Sequence, residues 1–199
     1  NIEVKIREDL MSSLLSNIWL EIQGKGHKIL ICVIYREFND LTGNGKMGEN
    51  EETERLQVLH SQVEKASKEG TLLMLGDMNI DLDKMEEEKY YQAKQAKEYQ
   101  TMISENGLDV IHFGKTFKRP NREESAIDHA LTNKPEQIKD YQKIEIKYSD
   151  HDLIYVDLNV KVTRLKDINN ITRDYRKVRS NPNFLVNKLT EIGWESLKD

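Results

Sequence analysis

The sequence predicts an α+β protein built as a layered sandwich. Many short stretches alternate apolar and polar residues, which is the pattern of half-buried strands. Two longer stretches carry apolar residues three and four positions apart, which is the pattern of amphipathic helices. Helices that are segregated among many short, partly antiparallel strands are typical of the α+β class.

Three strands are predicted near the start of the chain. Residues 2–6 alternate weakly between apolar and charged side chains. Residues 18–23 alternate and residues 29–35 are more continuously apolar, and a Gly-Lys-Gly turn separates the two stretches, which favours a β-hairpin. A long loop rich in Asn, Asp and Gly is expected over residues 36–50.

A helix and a buried strand are predicted next. Residues 51–69 carry one apolar helical stripe and end before Gly70, a residue type that favours helix termination. Residues 72–75 form a continuous apolar run, which predicts a short strand buried on both faces. The residues of the helical stripe are Leu56, Leu59, Val63 and Ala66.

The second half of the chain is predicted to hold one more helix and several short strands. Three acidic residues beginning at Glu86 suit the positive N-terminal end of a helix, and Gly107 is placed to end it. The longest alternating pattern in the chain lies between residues 154 and 162. The other candidate strands are residues 108–112, 116–117, 125–131 and 143–148.

Composition limits the classes of function that need to be considered. The 199 residues are 37% hydrophobic and 33% charged, and no apolar run approaches the length of a membrane-spanning helix. We therefore expect an intracellular protein, nuclear or cytoplasmic, with no membrane partner. The single cysteine, Cys32, excludes an intrachain disulfide. The net charge of −5 argues against a broad basic surface for nucleic acid.

The C-terminal region differs in character from the rest of the chain. Between Lys161 and Asp199 there are nine Lys or Arg residues and only five Asp or Glu residues. We expect one domain over residues 1–162 and a basic linker over residues 163–199. A short amphipathic helix is predicted within this linker, with an inner face of Phe184 or Leu185, Leu189 and Ile192.

Polar residues follow directly after the central buried strand. Gly76 is succeeded by Asp77 and Asn79, which point to the same side if the chain is extended there. Carboxylates and amides at the end of a buried strand are typical of catalytic edges in layered sheets. An Asx-rich turn with no chemical role explains the same residues equally well.

Two further polar clusters lie at or near predicted strands. One is Asp128-His129, and the other is the run of four residues from Ser149 to Asp152. A carboxylate can hold a divalent cation, and a histidine oriented by a second carboxylate can donate to a phosphate oxygen. Each cluster alone is a weak signal, and a histidine such as His151 more often caps a helix or lies in a turn. The order of the clusters and their placement at strand ends therefore carry the functional interpretation.

The three clusters together resemble the C-terminal motifs of the endonuclease/exonuclease/phosphatase superfamily. The motifs in this chain are GDMN, SAIDHALT and SDHDLI, and VIYREFN is similar to a tyrosine-containing strand end of the same superfamily. The resemblance is closer to the endonuclease domain of LINE-type non-LTR retrotransposons and covers residues 18–162. It implies a four-layer α/β/β/α sandwich of two mixed, largely antiparallel sheets flanked by helices.

This resemblance also implies roles for individual residues. Asp77 would orient or deprotonate the attacking water, and Asn79 would hold that water or the scissile phosphate. His151 would donate to a phosphate oxygen. The remaining implied roles are imidazole orientation by Asp128, phosphate contact by Tyr35 and divalent-metal binding by Asp150. The implied reaction is hydrolysis of a DNA phosphodiester with Mg²⁺, or Mn²⁺, leaving a 3′ hydroxyl.

One departure from the family pattern shapes the expected activity. The family begins with an asparagine and a glutamate metal ligand well before the tyrosine motif, whereas only 34 residues precede Tyr35 here and none matches. The chain is therefore expected to be the C-terminal part of the domain and to be weak or inactive alone. The basic tail is similar to the region that joins such endonucleases to a reverse transcriptase, which implies DNA and a reverse transcriptase region as partners.

Two other functions remain open from the sequence. The same motif residues would serve a phosphatase that acts on a small phosphoester. A non-catalytic relic or module, which packs against a polymerase or binds nucleic acid through its basic tail, would also retain these motifs.

Overall fold

The computed structural model describes residues 2–37, 48–87, 89–120 and 123–162. Ten strands and helices, joined by loops and short 3₁₀ turns, follow one another along these residues. In chain order they are β1 (Val4–Ile6), β2 (Ser16–Gln23), β3 (Lys28–Tyr35), α1 (Glu49–Glu69), β4 (Thr71–Asp77), α2 (Ala93–Glu105), β5 (Asp109–Ile111), β6 (Asp128–Thr132), β7 (Ile138–Ile144) and β8 (Leu153–Leu158).

The described strands form two sheets, as the α+β prediction requires. The larger sheet has six strands in the order β1-β2-β3-β4-β6-β5, and the smaller one pairs β7 with β8. Strands β3 and β4 run parallel because α1 crosses over between them, whereas the other described pairs are antiparallel. The predicted hairpin is present as β2 and β3, which pair along their full length.

The two helices cover one face of the larger sheet. Alternate side chains of β3, namely Leu30, Cys32 and Ile34, are buried on this face. They belong to one apolar cluster with the stripe of α1 and with inner residues of α2 such as Tyr99 and Met102. Alternate residues of β3 thus bury their apolar side chains in the core, and burial of apolar surface is the main favourable contribution to folding.

The opposite face of the larger sheet is covered over only part of its width. Leu73 and Ala130, from β4 and β6, pack with Val156 and Leu158 of the small sheet. The described residues therefore form three layers: helices, the six-stranded sheet and the two-stranded sheet. Over β1, β2 and β3 the same face leaves apolar side chains about half exposed, among them Val4, Ile6, Ile18, Val33 and Tyr35.

Some element boundaries differ from the sequence-based expectation. Helix α2 begins at Ala93 rather than at Glu86, so the prediction from the acidic triplet was wrong. The reason is tertiary contact, because Tyr90 is buried with its hydroxyl accepting the backbone N–H of Asp81, and Gln92 is buried against Arg36. These contacts fix the segment before Ala93 in turns.

Several strand boundaries also shift. The seventh strand ends at Ile144 rather than at Tyr148, and the eighth ends at Leu158. The predicted strand at residues 116–117 contributes only isolated bridges through Phe117. The predicted linker and amphipathic helix of residues 163–199 lie outside the described residues. No helix among the described residues is long and apolar enough to cross a membrane.

Gly76 lets β4 approach β3 closely at the end of the sheet. Its φ of +148° is disfavoured for residues with side chains, and a Cβ at this position would overlap the carbonyl oxygen of Ile34. Gly76 immediately precedes Asp77, so this close approach also sets the position of the first candidate catalytic carboxylate.

We predict that Gly76→Ala lowers the free energy of unfolding by more than about 4 kcal/mol, a loss expected only where backbone or core packing breaks. Gly114→Ala is the matched control, because Gly114 also has a positive φ, of +71°, but open space around a Cβ. The control should lose only about 1–2 kcal/mol from backbone strain. Urea unfolding measures both, and equal losses would contradict the proposed clash.

Candidate active site

Three candidate residues lie side by side at one edge of the larger sheet. Tyr35 ends β3, Asp77 ends β4, and Asp128 begins β6. Tyr35 pairs with Asp77, and Asp77 pairs with Asp128, in the registers of the two strand pairs. Residues directly opposite one another in a ladder point to the same face. The sheet therefore aligns a phenol and two carboxylates in one row.

His151 joins this row from the loop before β8. Its Nδ1 lies 3.0 Å from Oδ2 of Asp128, and its Nε2 lies 3.9 Å from Oδ2 of Asp77. The ring of Phe117 packs edge-on against the imidazole at 4.8 Å between ring centroids. The expected hydrogen bond between His151 and Asp128 is thus present. It favours the tautomer in which Nδ1–H donates to the carboxylate, so that Nε2 faces the row.

Burial sets the electrostatics of Asp77. The pKa of Asp77 is raised from 3.8 to about 6, mainly by loss of hydration on burial and in part by the nearby carboxylate of Asp128. The hydrogen bond from the backbone N–H of Asn79 and the charges of His151 and Arg36 oppose this rise. Asp77 is therefore a carboxylate that takes up a proton more readily than an exposed one does.

Asn79 is held in place beside Asp77. Its backbone N–H donates to Oδ1 of Asp77 at 2.8 Å, and its side-chain Nδ2 donates to the carbonyl oxygen of Arg36 at 2.8 Å. The residue has a φ of +49°, a left-handed conformation that Asn tolerates better than most residues. This is an Asx turn, as the structural interpretation of the motif anticipates, and it leaves Oδ2 of Asp77 directed at the row.

Asp150 lies outside the cluster. Its carboxylate accepts a hydrogen bond from Nε of Arg119 at 2.9 Å, and this interaction lowers the pKa of Asp150. The guanidinium of Arg119 in turn lies 5.0 Å from the centroid of the Phe117 ring. The metal-binding residue expected from the sequence is thus engaged in an ion pair next to the site.

His129 is separated from its neighbour Asp128. Adjacent residues of a strand point to opposite faces, and His129 is fully buried between the hydroxyl of Tyr99 and the carbonyl oxygen of Ala126. Burial lowers the pKa of His129 to about 4, so the ring stays neutral near pH 7. Of the two histidines in the predicted clusters, His151 alone reaches the row of carboxylates.

The cluster offers two carboxylates and an imidazole that could hold a metal ion. One ligand atom each from Asp77, Asp128 and His151 lies within 4.8 Å of the others. Magnesium in proteins is usually held by one or two carboxylates, with water and substrate oxygens completing its shell. Burial raises the pKa of Asp77, and a bound cation would act in the opposite direction by favouring the charged carboxylate.

Sequence reasoning missed Arg36, the residue after Tyr35. Its Nη1 donates to the carbonyl oxygens of Met78 and Asn79 at 3.1 and 3.4 Å, directly behind the candidate catalytic residues. The only feature of the sequence that could have indicated it is its position as a charged residue next to Tyr35, an expected site residue. The partners, however, are backbone atoms of another loop, which no local pattern reveals.

The layered sheets are those of the endonuclease/exonuclease/phosphatase fold. A family model described as endonuclease-reverse transcriptase matches residues 29–155, more than half of the chain. The chain therefore belongs to the endonuclease-reverse transcriptase family. Comparison with curated proteins gives no match.

Solved structures share this fold at low sequence identity. The endonuclease domain of TRAS1, a telomere-specific non-LTR retrotransposon, is 16% identical, with a TM-score of 0.56, over 83% of this chain and 70% of that one. The catalytic domain of Xenopus laevis APE2 is 13% identical, with a TM-score of 0.54, over 81% of this chain and 62% of that one. Both are likenesses of fold, and the chain spans less than two thirds of the APE2 domain.

The raised pKa of Asp77 predicts a specific dependence of stability on pH. Between about pH 4 and about pH 6 the folded protein retains a proton at Asp77 that the unfolded chain has released, so stability falls as pH rises through this range. Asp77→Asn cannot titrate. As the pH rises through this range, the free energy of unfolding of Asp77→Asn should therefore increase relative to that of the unaltered protein, by up to about 3 kcal/mol.

Denaturant unfolding of both proteins at several pH values measures this gain. Asp140→Asn is a suitable control, because Asp140 is an exposed carboxylate on β7. It should show no such gain, and parallel curves for Asp77→Asn and the unaltered protein would contradict the assigned electrostatics.

Proposed function

We propose that this chain is a metal-dependent phosphodiester hydrolase that nicks DNA as part of a retrotransposon-type polyprotein. The observation that carries the proposal is the convergence of Asp77, Asp128 and His151, with the imidazole bonded to one carboxylate and facing the other. Membership in the endonuclease-reverse transcriptase family supports a nucleic-acid substrate over a small phosphoester.

Asp77 is the proposed group that orients and deprotonates the attacking water. Its Oδ1 is occupied by the backbone N–H of Asn79, whereas Oδ2 faces His151 and the open side of the row. A general base works best when its pKa lies near the operating pH. The pKa of about 6 at Asp77 approaches that condition more closely than an exposed aspartate does.

His151 is the proposed donor to a non-bridging phosphate oxygen. The hydrogen bond to Asp128 fixes the ring with Nε2 facing the row, from which an Nε2–H would donate to the phosphate. Tyr35 would contact the phosphate or the charge that develops on it, and its half-exposed side chain in the same row supports this role. Asn79 would hold the water or the scissile phosphate.

The metal we propose is Mg²⁺, with Mn²⁺ as a substitute. Asp150 would hold it together with Asp128 after the ion pair of Asp150 with Arg119 opens, which leaves Asp77 to take the proton from the water. When bound, the cation would stabilise charge on the phosphate and lower the pKa of a water ligand. The protein residues orient the substrate and move the proton, as described above.

The proposed partners are DNA and a reverse transcriptase region of the same polyprotein. We also propose that residues 1–199 alone are weak or inactive. Support comes from the half-exposed apolar side chains of β1, β2 and β3. These side chains form an apolar surface that starts at Tyr35 and extends away from the site. Exposed apolar sheet surface of this kind favours self-association over a stable site.

A plasmid-nicking assay in Mg²⁺ tests the proposal. Residues 1–199 alone should nick supercoiled plasmid poorly, whereas the same residues within the longer polyprotein that we propose should nick it. In that longer protein, Asp77→Ala and His151→Ala should each lower the rate by at least about 10²-fold, because each removes a proton-transfer or charge-stabilising group.

Two exposed or peripheral residues provide matched controls. Asp140→Ala removes a carboxylate on β7, and His60→Ala removes a histidine on α1 that faces Glu105. Both controls should nick at the unaltered rate. Undiminished nicking by Asp77→Ala would overturn the proposed roles, and hydrolysis of a small phosphoester without nicking would instead identify a phosphatase.

A further inference from the structure

Arg36 is one of the most buried charged residues of the described chain. It follows the last residue of β3, and its side chain is only 5% exposed. Burying a guanidinium costs free energy unless its donors are satisfied by hydrogen bonds or by an opposite charge. The partners that meet this cost therefore indicate what the residue does.

The backbone of Arg36 is bonded to the loop that carries the candidate catalytic residues. Its N–H donates to the carbonyl oxygen of Asp77 at 2.8 Å, which continues the parallel ladder past the end of β3. Its carbonyl oxygen accepts Nδ2 of Asn79 at 2.8 Å. Arg36 thus contacts the first and last residues of the segment from Asp77 to Asn79.

The side chain of Arg36 reaches the same loop from behind. Nη1 donates to the carbonyl oxygens of Met78 and Asn79, and also to Oε1 of Gln92 at 3.2 Å. These bonds hold both carbonyls toward the interior. The turn that results is the one in which the backbone N–H of Asn79 bonds Oδ1 of Asp77.

A partly buried acid lies beside this guanidinium at the distance limit of an ion pair. Nη2 of Arg36 lies 4.0 Å from Oε2 of Glu52 on α1, and Glu52 also accepts a hydrogen bond from Gln95 of α2. Arg36 therefore contacts the helical layer on one side and the loop from Asp77 to Asn79 on the other. A planar guanidinium presents several donors in fixed directions, which a lysine ammonium at the end of a flexible chain does not.

We propose that Arg36 is a positioning residue of the active site: its buried guanidinium holds the carbonyls of Met78 and Asn79 and so fixes Asp77 and Asn79 in the geometry used for catalysis. This inference rests on the proposed nuclease function for its kinetic consequence. The part that concerns loop geometry is independent of any activity.

Hydrogen exchange tests the loop geometry without an activity assay. In residues 1–199, Arg36→Met should raise the exchange rate of the Asn79 amide at least about tenfold, because the bond to Asp77 depends on a turn that has lost its support. Arg36→Lys should restore only part of the protection. NMR detection of individual amides provides the measurement.

Arg7→Met is the matched control. Arg7 is a second buried arginine, paired with Asp9, Glu21 and Glu69 at the other end of the central strands. Its removal should lower global stability while leaving the exchange of Asn79, relative to core amides of the same protein, unchanged. The inference would be overturned if the Asn79 amide, compared with core amides of the same protein, exchanged equally fast in Arg36→Met and Arg7→Met.

Kinetics in the longer, nicking protein provide the second readout. Arg36→Met should lower kcat by about 10²-fold, the size of effect expected from a small misplacement of catalytic groups. KM should change much less, because Arg36 is buried and does not touch substrate. Arg7→Met, corrected for its folded fraction, should keep the unaltered kcat, and an unaltered kcat in Arg36→Met would refute the positioning role.

The two readouts distinguish failure of the inference from failure of the proposed function. If the longer protein nicks no DNA, the nuclease proposal fails, and amide exchange alone decides whether Arg36 fixes the loop. If the protein nicks DNA and neither exchange nor kcat responds to Arg36→Met, the function stands and the inference falls.

Discussion

The register shared by β3, β4 and β6 is the constraint on which the rest of the site depends. It brings Tyr35, Asp77 and Asp128 to the same edge and the same face of one sheet. A slip of one residue would turn Asp77 toward the helices, because side chains alternate between the faces of a strand. The apolar residues at alternate positions of β3 and β4 oppose such a slip, since they would leave the core. Core packing therefore decides the geometry of the polar edge.

Local patterns in the sequence were enough to predict most of the framework. The hairpin of β2 and β3, helix α1 with its buried stripe and the buried strand before Asp77 are all present. Each is specified by apolar periodicity and by a glycine at its end, which are properties of neighbouring residues. The row of candidate residues could be anticipated because strands that share a sheet bring their ends together.

Contacts between distant residues could not be predicted in this way. Arg36 bonds carbonyls 42 and 43 positions further along the chain, and Asp150 is bonded by Arg119, 31 positions before it. The start of α2 is delayed by the burial of Tyr90 and Gln92, although an acidic triplet favours an earlier start. In each of these three cases a tertiary contact either outweighs the local sequence pattern or cannot be predicted from it.

The edge of the sheet holds two carboxylates at a cost to the fold. Burial and Asp128 both disfavour a charged Asp77, whereas the amide of Asn79, His151 and Arg36 favour it. The amide of Asn79, which opposes the rise in pKa, also fixes the position of the carboxylate by its hydrogen bond to Oδ1. Sites in which residues are held against their electrostatic preference are often functional, because the strain is retained only where it is used. In this chain, the helices that bury Arg36 and the sheet that aligns Asp77 hold this arrangement in place.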